Sequence, residues 1–250
     1  TKKKDNMLTY TNVQVPRTTL TYAQTAAVLQ GGASDYQFLW AATARTNEAV
    51  PGGPAAIGDD SSRTATTVYM KGLRERVDMA LNSARPWVWR RIVFTMKGFN
   101  NTFVPATGAN FFVLTSSGYG RLINDMTATQ RTQAQAIIFD GNKDVDWNDV
   151  YNAKTDSNLI TVRSDTTTLI KPKTTAGDIQ NRTFYYPFEK NLVYADDEIG
   201  GVTGHSAWST LGKPGMGDVL VYDMIAPGSG SVFGDTLSIN IQATLYWHEK

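Results

Sequence analysis

The sequence contains no cysteine. Disulfides, thiolate zinc sites and cysteine nucleophiles are therefore excluded, and the absence fits a reducing compartment. No run of about 18 consecutive apolar residues occurs, so no membrane-spanning helix is expected, and no signal-peptide pattern opens the chain. Histidine is confined to His205 and His248. A phosphate-binding loop is missing too. The glycine-rich run Gly212-Lys213-Pro214-Gly215-Met216-Gly217 lacks the Lys-Ser/Thr spacing, and its proline interrupts a helix start. No repeat period and no linker divides the chain, so residues 1–250 are read as a single domain.

The remaining composition is that of a folded protein. The 250 residues are 41% apolar and only 19% charged. That is enough to bury a core and argues against a disordered chain. The net charge is +1, but it is unevenly distributed. Residues 1–100 carry 13 Lys and Arg against 7 Asp and Glu, a balance of +6, whereas residues 101–250 carry 11 against 16, a balance of −5. A basic surface can be hidden by such a near-neutral total. Lys2, Lys3 and Lys4 read either as the remnant of a basic N-terminal arm over residues 1–7 or as a frayed, solvated terminus.

The dominant period is two. In residues 237–247, Leu237, Ile239, Ile241, Ala243, Leu245 and Trp247 alternate with polar residues and Tyr246, which predicts a strand with one buried face. Residues 67–81 read as a second strand. Tyr69, Leu73, Val77, Met79 and Leu81 share a face with Lys71 and Glu75, a possible ion pair, while Arg74, Arg76 and Asp78 lie opposite. Helical spacing is a rival for that segment. Residues 87–97 are β-branched and aromatic. Val88, Ile92, Phe94 and Met96 form one face, with Trp87, Trp89, Arg91 and Lys97 on the other. Further strands are expected near residues 8–20, 36–45, 110–115, 158–171, 184–195 and 218–226, with Pro16 and Pro172 limiting ladder pairing. Only residues 128–138 read as a helix, closed by Asp140-Gly141. Residues 48–62 and 200–217 read as long loops. About nine strands, long loops and one short helix predict an all-β fold, a jelly-roll β-sandwich.

Candidate chemistry is sparse. His205, in a Gly-rich loop, invites a Ser-His-Asp arrangement, but no nucleophile-elbow pattern accompanies it, and His248 falls on the polar face of the last strand. No catalytic residue and no cofactor is assigned, and the chain is not expected to be an enzyme. Asp140, Asn142, Asp144, Asp146 and Asp149 mimic the alternating ligands of a calcium loop. Val145 stands where the turn requires Gly and Tyr151 where a bidentate Glu belongs, so an EF-hand is excluded. A looser calcium site at Asp140, Asp144 and Asp146 stays open beside solvated Asx-turns. Asp196, Asp197 and Glu198 read as a loop-side acidic patch, since neighbouring strand residues point to opposite faces. Nucleic-acid binding has the better basis. Arg85, Trp87, Trp89, Arg90 and Arg91 interleave cations with aromatic rings, as single-strand binding requires. With Lys2, Lys3 and Lys4 they form the candidate DNA-binding set. Burial of the tryptophans, with Arg90 satisfying a carboxylate, is the competing reading. A glycan-binding sandwich presenting Trp208 and Tyr119 is the alternative function.

Several blocks are familiar as a set. Residues 69–76 (Tyr69 to Arg76) and 86–92 (Pro86 to Ile92) resemble genomovirus capsid proteins. So do Val145-Asp146-Trp147, residues 190–194 with Asp196-Asp197-Glu198, residues 213–218, and the final six residues from Leu245 to Lys250. The resemblance spans residues 69 to 250 in order, and residues 1–65 carry little of it. It implies a jelly-roll capsid protein related to geminivirus coat proteins. Identical subunits would form a T=1 icosahedral shell around circular single-stranded DNA, without a membrane. The implied localisation is the virion and, during assembly, the host nucleus. The family's Arg-rich N-terminal arm has no counterpart in this sequence beyond Lys2 to Lys4.

Placing a carboxylate on the buried face of residues 237–247 is expected to prevent folding, because register there is set by that apolar face. Ile241→Asp should yield no soluble, cooperatively melting protein, and a soluble variant with the parent's melting curve would refute the assignment.

Overall fold

A computed structural model describes residues 1–15, 21–32, 35–103, 110–200 and 202–249, and the backbone alone at 199, 202 and 203. In chain order the strands are β1 (Lys2–Met7), β2 (Thr9–Thr11), β3 (Ala27–Gln30), β4 (Tyr36–Ala41), β5 (Glu48–Val50), β6 (Gly53–Pro54), β7 (Thr67–Leu81) and β8 (Trp87–Met96). A helical turn, α1 (Phe99–Thr102), precedes β9 (Val113–Thr115), β10 (Gly118–Ile123) and helix α2 (Ala128–Ile138). Then come β11 (Thr161–Ile170), β12 (Asp178–Val193), β13 (Glu198–Ile199), β14 (Val202–Thr203), β15 (Asp218–Pro227) and β16 (Thr236–His248).

The strand order is that of a jelly roll. One sheet runs β3-β16-β7-β12, with β1 sharing β3's edge of β16, and the other runs β4-β15-β8-β11. Every pairing in these two sheets is antiparallel. Consecutive connections therefore fall alternately at the two ends of the sandwich. Residues 31–35, 82–86, 171–177 and 228–235 make one end, and the longer segments 42–66, 97–160 and 194–217 make the other. A ribbon of β2, β10 and β9 joins the sheets along one side. β2 follows β1 after one residue, and Asp125, just past β10, bridges to Phe38 on β4.

The alternation of β16 resolves as expected. Leu237, Ile239, Ile241, Ala243, Leu245 and Trp247 are buried, and the residues between them face outward. On β7 the parity changes once. Met70 pairs with Trp247 and Gly72 with Tyr246, so Lys71 is an extra residue. This bulge turns Tyr69 and Lys71 to the outer face, correcting their assignment beside Leu73. Lys71 pairs with Glu189 at 2.8 Å, not with Glu75. Glycine inside a strand commonly marks such a bulge.

The second sheet is covered on both faces over three of its four strands, the edge strand β11 being largely exposed. β4 and β8 are buried along almost their whole length, as are the first eight residues of β15. Ile92, Phe94, Leu220 and Tyr222 pack outward against Phe99, Phe111, Ile137, Ile138 and Phe139 of the α1–α2 layer. A capping box opens α2. Thr127 accepts from Gln130 N, while the Gln130 side chain accepts from Thr127 N. Arg131 then fastens the helix to Asp35 at 3.0 Å and Asp125 at 2.8 Å. Of the strand expected over 8–20, Thr9–Thr11 is β2, and residues 16–20, Pro16 included, lie outside the described residues, as does Lys250.

Between the sheets lies a neutral cluster of four charges. Glu75 on β7 accepts from Arg91 at 2.6 Å and from Arg121 at 2.8 Å. Asp223 on β15 accepts from Arg91 Nε at 2.6 Å, Arg121 Nη2 at 2.8 Å and Trp89 Nε1 at 2.8 Å. The Arg121 guanidinium also lies 4.4 Å from the Trp40 ring centroid, and Arg91 lies 4.7 Å from that of Trp89. Removing one partner leaves a buried charge unmatched, which costs about 3–5 kcal/mol. Glu75→Gln is expected to lower unfolding free energy by about that amount in urea titration with an unchanged m-value. A loss within experimental error would show that the cluster does not constrain the fold.

Candidate nucleic-acid interface

The outer face of the β1-β16-β7-β12 sheet gathers several cations. Strand parity sends Lys2, Lys4 and Asn6 of β1 outward and Lys3, Asp5 and Met7 inward. The ladder aligns Lys2 with His248 and His248 with Tyr69. It aligns Lys4 with Tyr246 and Tyr246 with Gly72. Arg74 stands between Thr244 and Tyr185, and Arg76 between Gln242 and Thr183. Lys2, Lys4, Lys71, Arg74 and Arg76 thus share a surface with Tyr69, Tyr185, Tyr246 and His248.

The electrostatics of this face are only partly neutralised. Glu189 bonds Lys71 and raises its pKa, and Lys71 in turn depresses that of Glu189. Arg76 approaches Asp78 at 3.6 Å with both side chains largely exposed, a pairing of little energetic weight. Among the described residues Lys2, Lys4 and Arg74 have no carboxylate within ion-pair distance. Cations without carboxylate partners beside exposed rings suit a phosphate backbone with accessible bases.

The candidate set divides sharply. Lys2 and Lys4 belong to this face, so residues 2–7, read as an arm remnant, form a paired strand. Lys3 is buried, donating to Ser62 O at 2.8 Å and pairing with Glu249 at 3.4 Å. Arg85 is exposed in the β7–β8 loop, beyond the opposite end of β7. Trp87, Trp89, Arg90 and Arg91 are corrected to core residues, between 1% and 5% exposed. Arg90 makes a bidentate pair with Asp165 and donates to Val150 O at 2.6 Å. The reason is the position of β8. It is an interior strand with the opposite sheet on one face and the α1–α2 layer on the other, so neither face meets solvent. Lys71, Arg74, Tyr185 and Tyr246 were missed as site residues. The glycine at 72 was the available signal for the bulge, but the juxtaposition of β1, β16, β7 and β12 is long-range.

The other candidates are engaged elsewhere. Asp146 accepts from Asn142 N at 2.7 Å, Asp149 from Tyr151 N at 3.0 Å, and Asp140 pairs with Lys154 at 3.2 Å. The Asp149 bond is an Asx-turn, the Asp146 bond closes the 142–146 loop, and the Asp140 bond is a surface pair. Among the described residues no three His, Asp or Glu side chains gather as metal ligands. Asp196 is no exposed patch residue. It is buried in a bidentate bond to Arg63 and accepts from Ser206 N. His205 is exposed, and the Ser206 hydroxyl donates to Trp208 O. Tyr119 is buried with its hydroxyl accepting from Thr46 N at 2.8 Å, and Trp208 packs 6.0 Å from both Phe99 and Phe112. Tyr119 thus offers no open ring to a sugar, whereas Trp208 is half-buried and lines a groove with Phe111, Phe112 and Leu114. No described helix is long and apolar enough to cross a membrane. No protein-family model matches the chain, and no characterised protein matches it in sequence.

Replacing Arg74 and Arg76 together by Ala is expected to leave the melting temperature nearly unchanged. It should weaken single-stranded DNA binding and reduce the logarithmic salt slope by about 0.7 for each phosphate no longer neutralised. Fluorescence anisotropy across a salt series measures this, and an unaltered slope would remove the face from the interface.

Proposed function

We propose that this chain is a structural capsid subunit whose copies close into a T=1 icosahedral shell around circular single-stranded DNA. The observation that carries the proposal is the contrast between the two sheets. One is wrapped by a second layer, while the other leaves a basic, tyrosine-bearing face bare. A subunit built this way has one side suited to a packaged polyanion and another insulated from it. The sequence blocks that resemble genomovirus capsid proteins support the same reading.

The ends of the sandwich supply surfaces for identical neighbours. Val232 and Phe233 are 62% and 66% exposed in the short-loop end, and Ile179, at the same end of β12, is 75% exposed. The loops there brace each other. Gly31 N donates to Asp235 O, Asn82 Nδ2 to Gly234 O and Gly228 N to Pro86 O. At the long-loop end Ile57, Val145 and Leu211 are 78%, 81% and 62% exposed. Exposed apolar groups on braced loops suit contacts that recur between copies, and symmetry multiplies each such contact around a closed shell.

Purified protein is expected to give particles in negative-stain micrographs, with an absorbance ratio showing nucleic acid. Phe233→Asp should abolish particles while leaving the melting curve of the subunit intact. A wild-type protein that stays monomeric across salt and pH, with or without added single-stranded DNA, would overturn the proposal.

A further inference from the structure

The bulge in β7 leaves one outward position of the basic face without a side chain of its own. Every second residue of a strand normally raises a side chain over the sheet. Where Tyr246 and Pro187 flank β7, the residue between them is Gly72, which raises none. A Cβ at that position would lie 2.7 Å from the Tyr185 hydroxyl and 2.8 Å from the Tyr186 carbonyl. The ring of Tyr185, 53% exposed, therefore reaches across the glycine from the neighbouring strand. Beside that ring lies a groove of about 530 Å³ bordered by Lys2, Lys4, Lys71, Arg74, Tyr185, Tyr246 and His248. That volume falls within the range of roughly 300–1,000 Å³ typical of small-ligand sites.

The lining is specific in chemical kind. Tyr185 and Tyr246, with His248 and Trp247, supply ring surface, the outward Lys2, Lys4, Lys71 and Arg74 stand around them, the inward Lys3 is held by Glu249, and Asp60 is the carboxylate at the margin. Glu189 neutralises Lys71 alone. A purely electrostatic surface would need no aromatic hollow, and a purely apolar ligand would not be met by four cations. A nucleotide of an unpaired strand satisfies both halves, because its base offers a π-face and its phosphate a charge. A duplex offers the phosphates but keeps its base faces stacked.

Resting on the reading of this face as a single-strand interface, we infer that the groove seats one unpaired base against Tyr185 and Tyr246. The flanking phosphate meets Lys2, Lys4 and Arg74. Every base has a π-face, so the seat accepts any base and discriminates strandedness instead of sequence.

Anisotropy titrations of the full chain with labelled oligo(dT), an abasic strand of equal length, and a duplex test this. Oligo(dT) is expected to bind roughly tenfold more tightly than the abasic strand, the contribution of about one stacked base. Tyr185→Leu with Tyr246→Leu should erase that difference, and Tyr185→Phe with Tyr246→Phe should retain it. Arg74→Ala should weaken oligo(dT) and abasic binding alike. Equal affinity of the wild type for oligo(dT) and abasic strands, or a preference surviving in the double leucine variant, would overturn the inference. Particles that still carry DNA would then leave the capsid reading standing, whereas failure to bind any single strand would remove both.

Discussion

The architecture depends on four charges placed where water cannot reach. Glu75, Arg91, Arg121 and Asp223 come from β7, β8, β10 and β15, so the cluster ties both sheets and the closing ribbon together. All four carboxylate oxygens accept from an arginine. Packed apolar residues of equal volume would serve stability as well or better. What the charges impose is register. A one-residue slip of any contributing strand sends its charged residue to the opposite face, leaving the others unmatched in a medium that penalises lone ions heavily. Asp218 shows the alternative. It is equally buried but bonded only to Ser209, and burial pushes its carboxyl up to about 6. Burial raises Asp223 as well, yet Arg91 and Arg121 outweigh it and the net shift is downward.

The same logic fixes the edge that carries the candidate interface. Lys2, Lys3 and Lys4 are chemically identical neighbours with two different fates. Strand parity turns the outer two to solvent and the middle one into the protein, where Glu249 receives it. Asp5, also inward, pairs with Arg45 at 3.1 Å, and Arg45 lies 4.8 Å from the Trp247 ring centroid. The inward charges thus pin β1 to β16, and that pinning holds Lys2 and Lys4 in fixed positions on the outer face. An interface made this way is preorganised, which lowers the ordering cost of binding.

Legibility in the sequence followed the range of the determining contacts. β16 was readable because its alternation is local and uninterrupted, and α2 because Ala, Gln and Arg dominate it and Asp140-Gly141 follows it within a few residues. The two faces of β8 were sorted correctly, with Arg91 and the tryptophans opposite Ile92 and Phe94, but their exposure was not readable. It depends on a covering layer contributed by residues 99–160. On β7 the outward Arg74 and Arg76 were correctly placed, whereas Tyr69 and Lys71 were not, because one extra residue at the bulge inverts everything before it. The short β3 went unread for want of enough alternation to register.

Interleaved cations and rings occur twice in this protein with opposite outcomes, and the difference lies in what the second partner is. In β8 each arginine meets a carboxylate from a distant strand, Asp165 for Arg90 and Glu75 with Asp223 for Arg91. On β1 and β7 the outward Lys2, Lys4 and Arg74 meet none among the described residues. The uneven charge along the chain resolves in these terms. Lys3, Arg63, Lys71, Arg90 and Arg91, all within the basic first 100 residues, pair with Glu249, Asp196, Glu189, Asp165 and Asp223 of the acidic remainder. Folding sets much of the acidic remainder against basic partners and leaves Lys2, Lys4 and Arg74 together on one sheet face. Because that face also holds the tyrosines, the surplus charge and the exposed rings coincide, and it is their coincidence, more than either alone, that suits an unpaired polynucleotide.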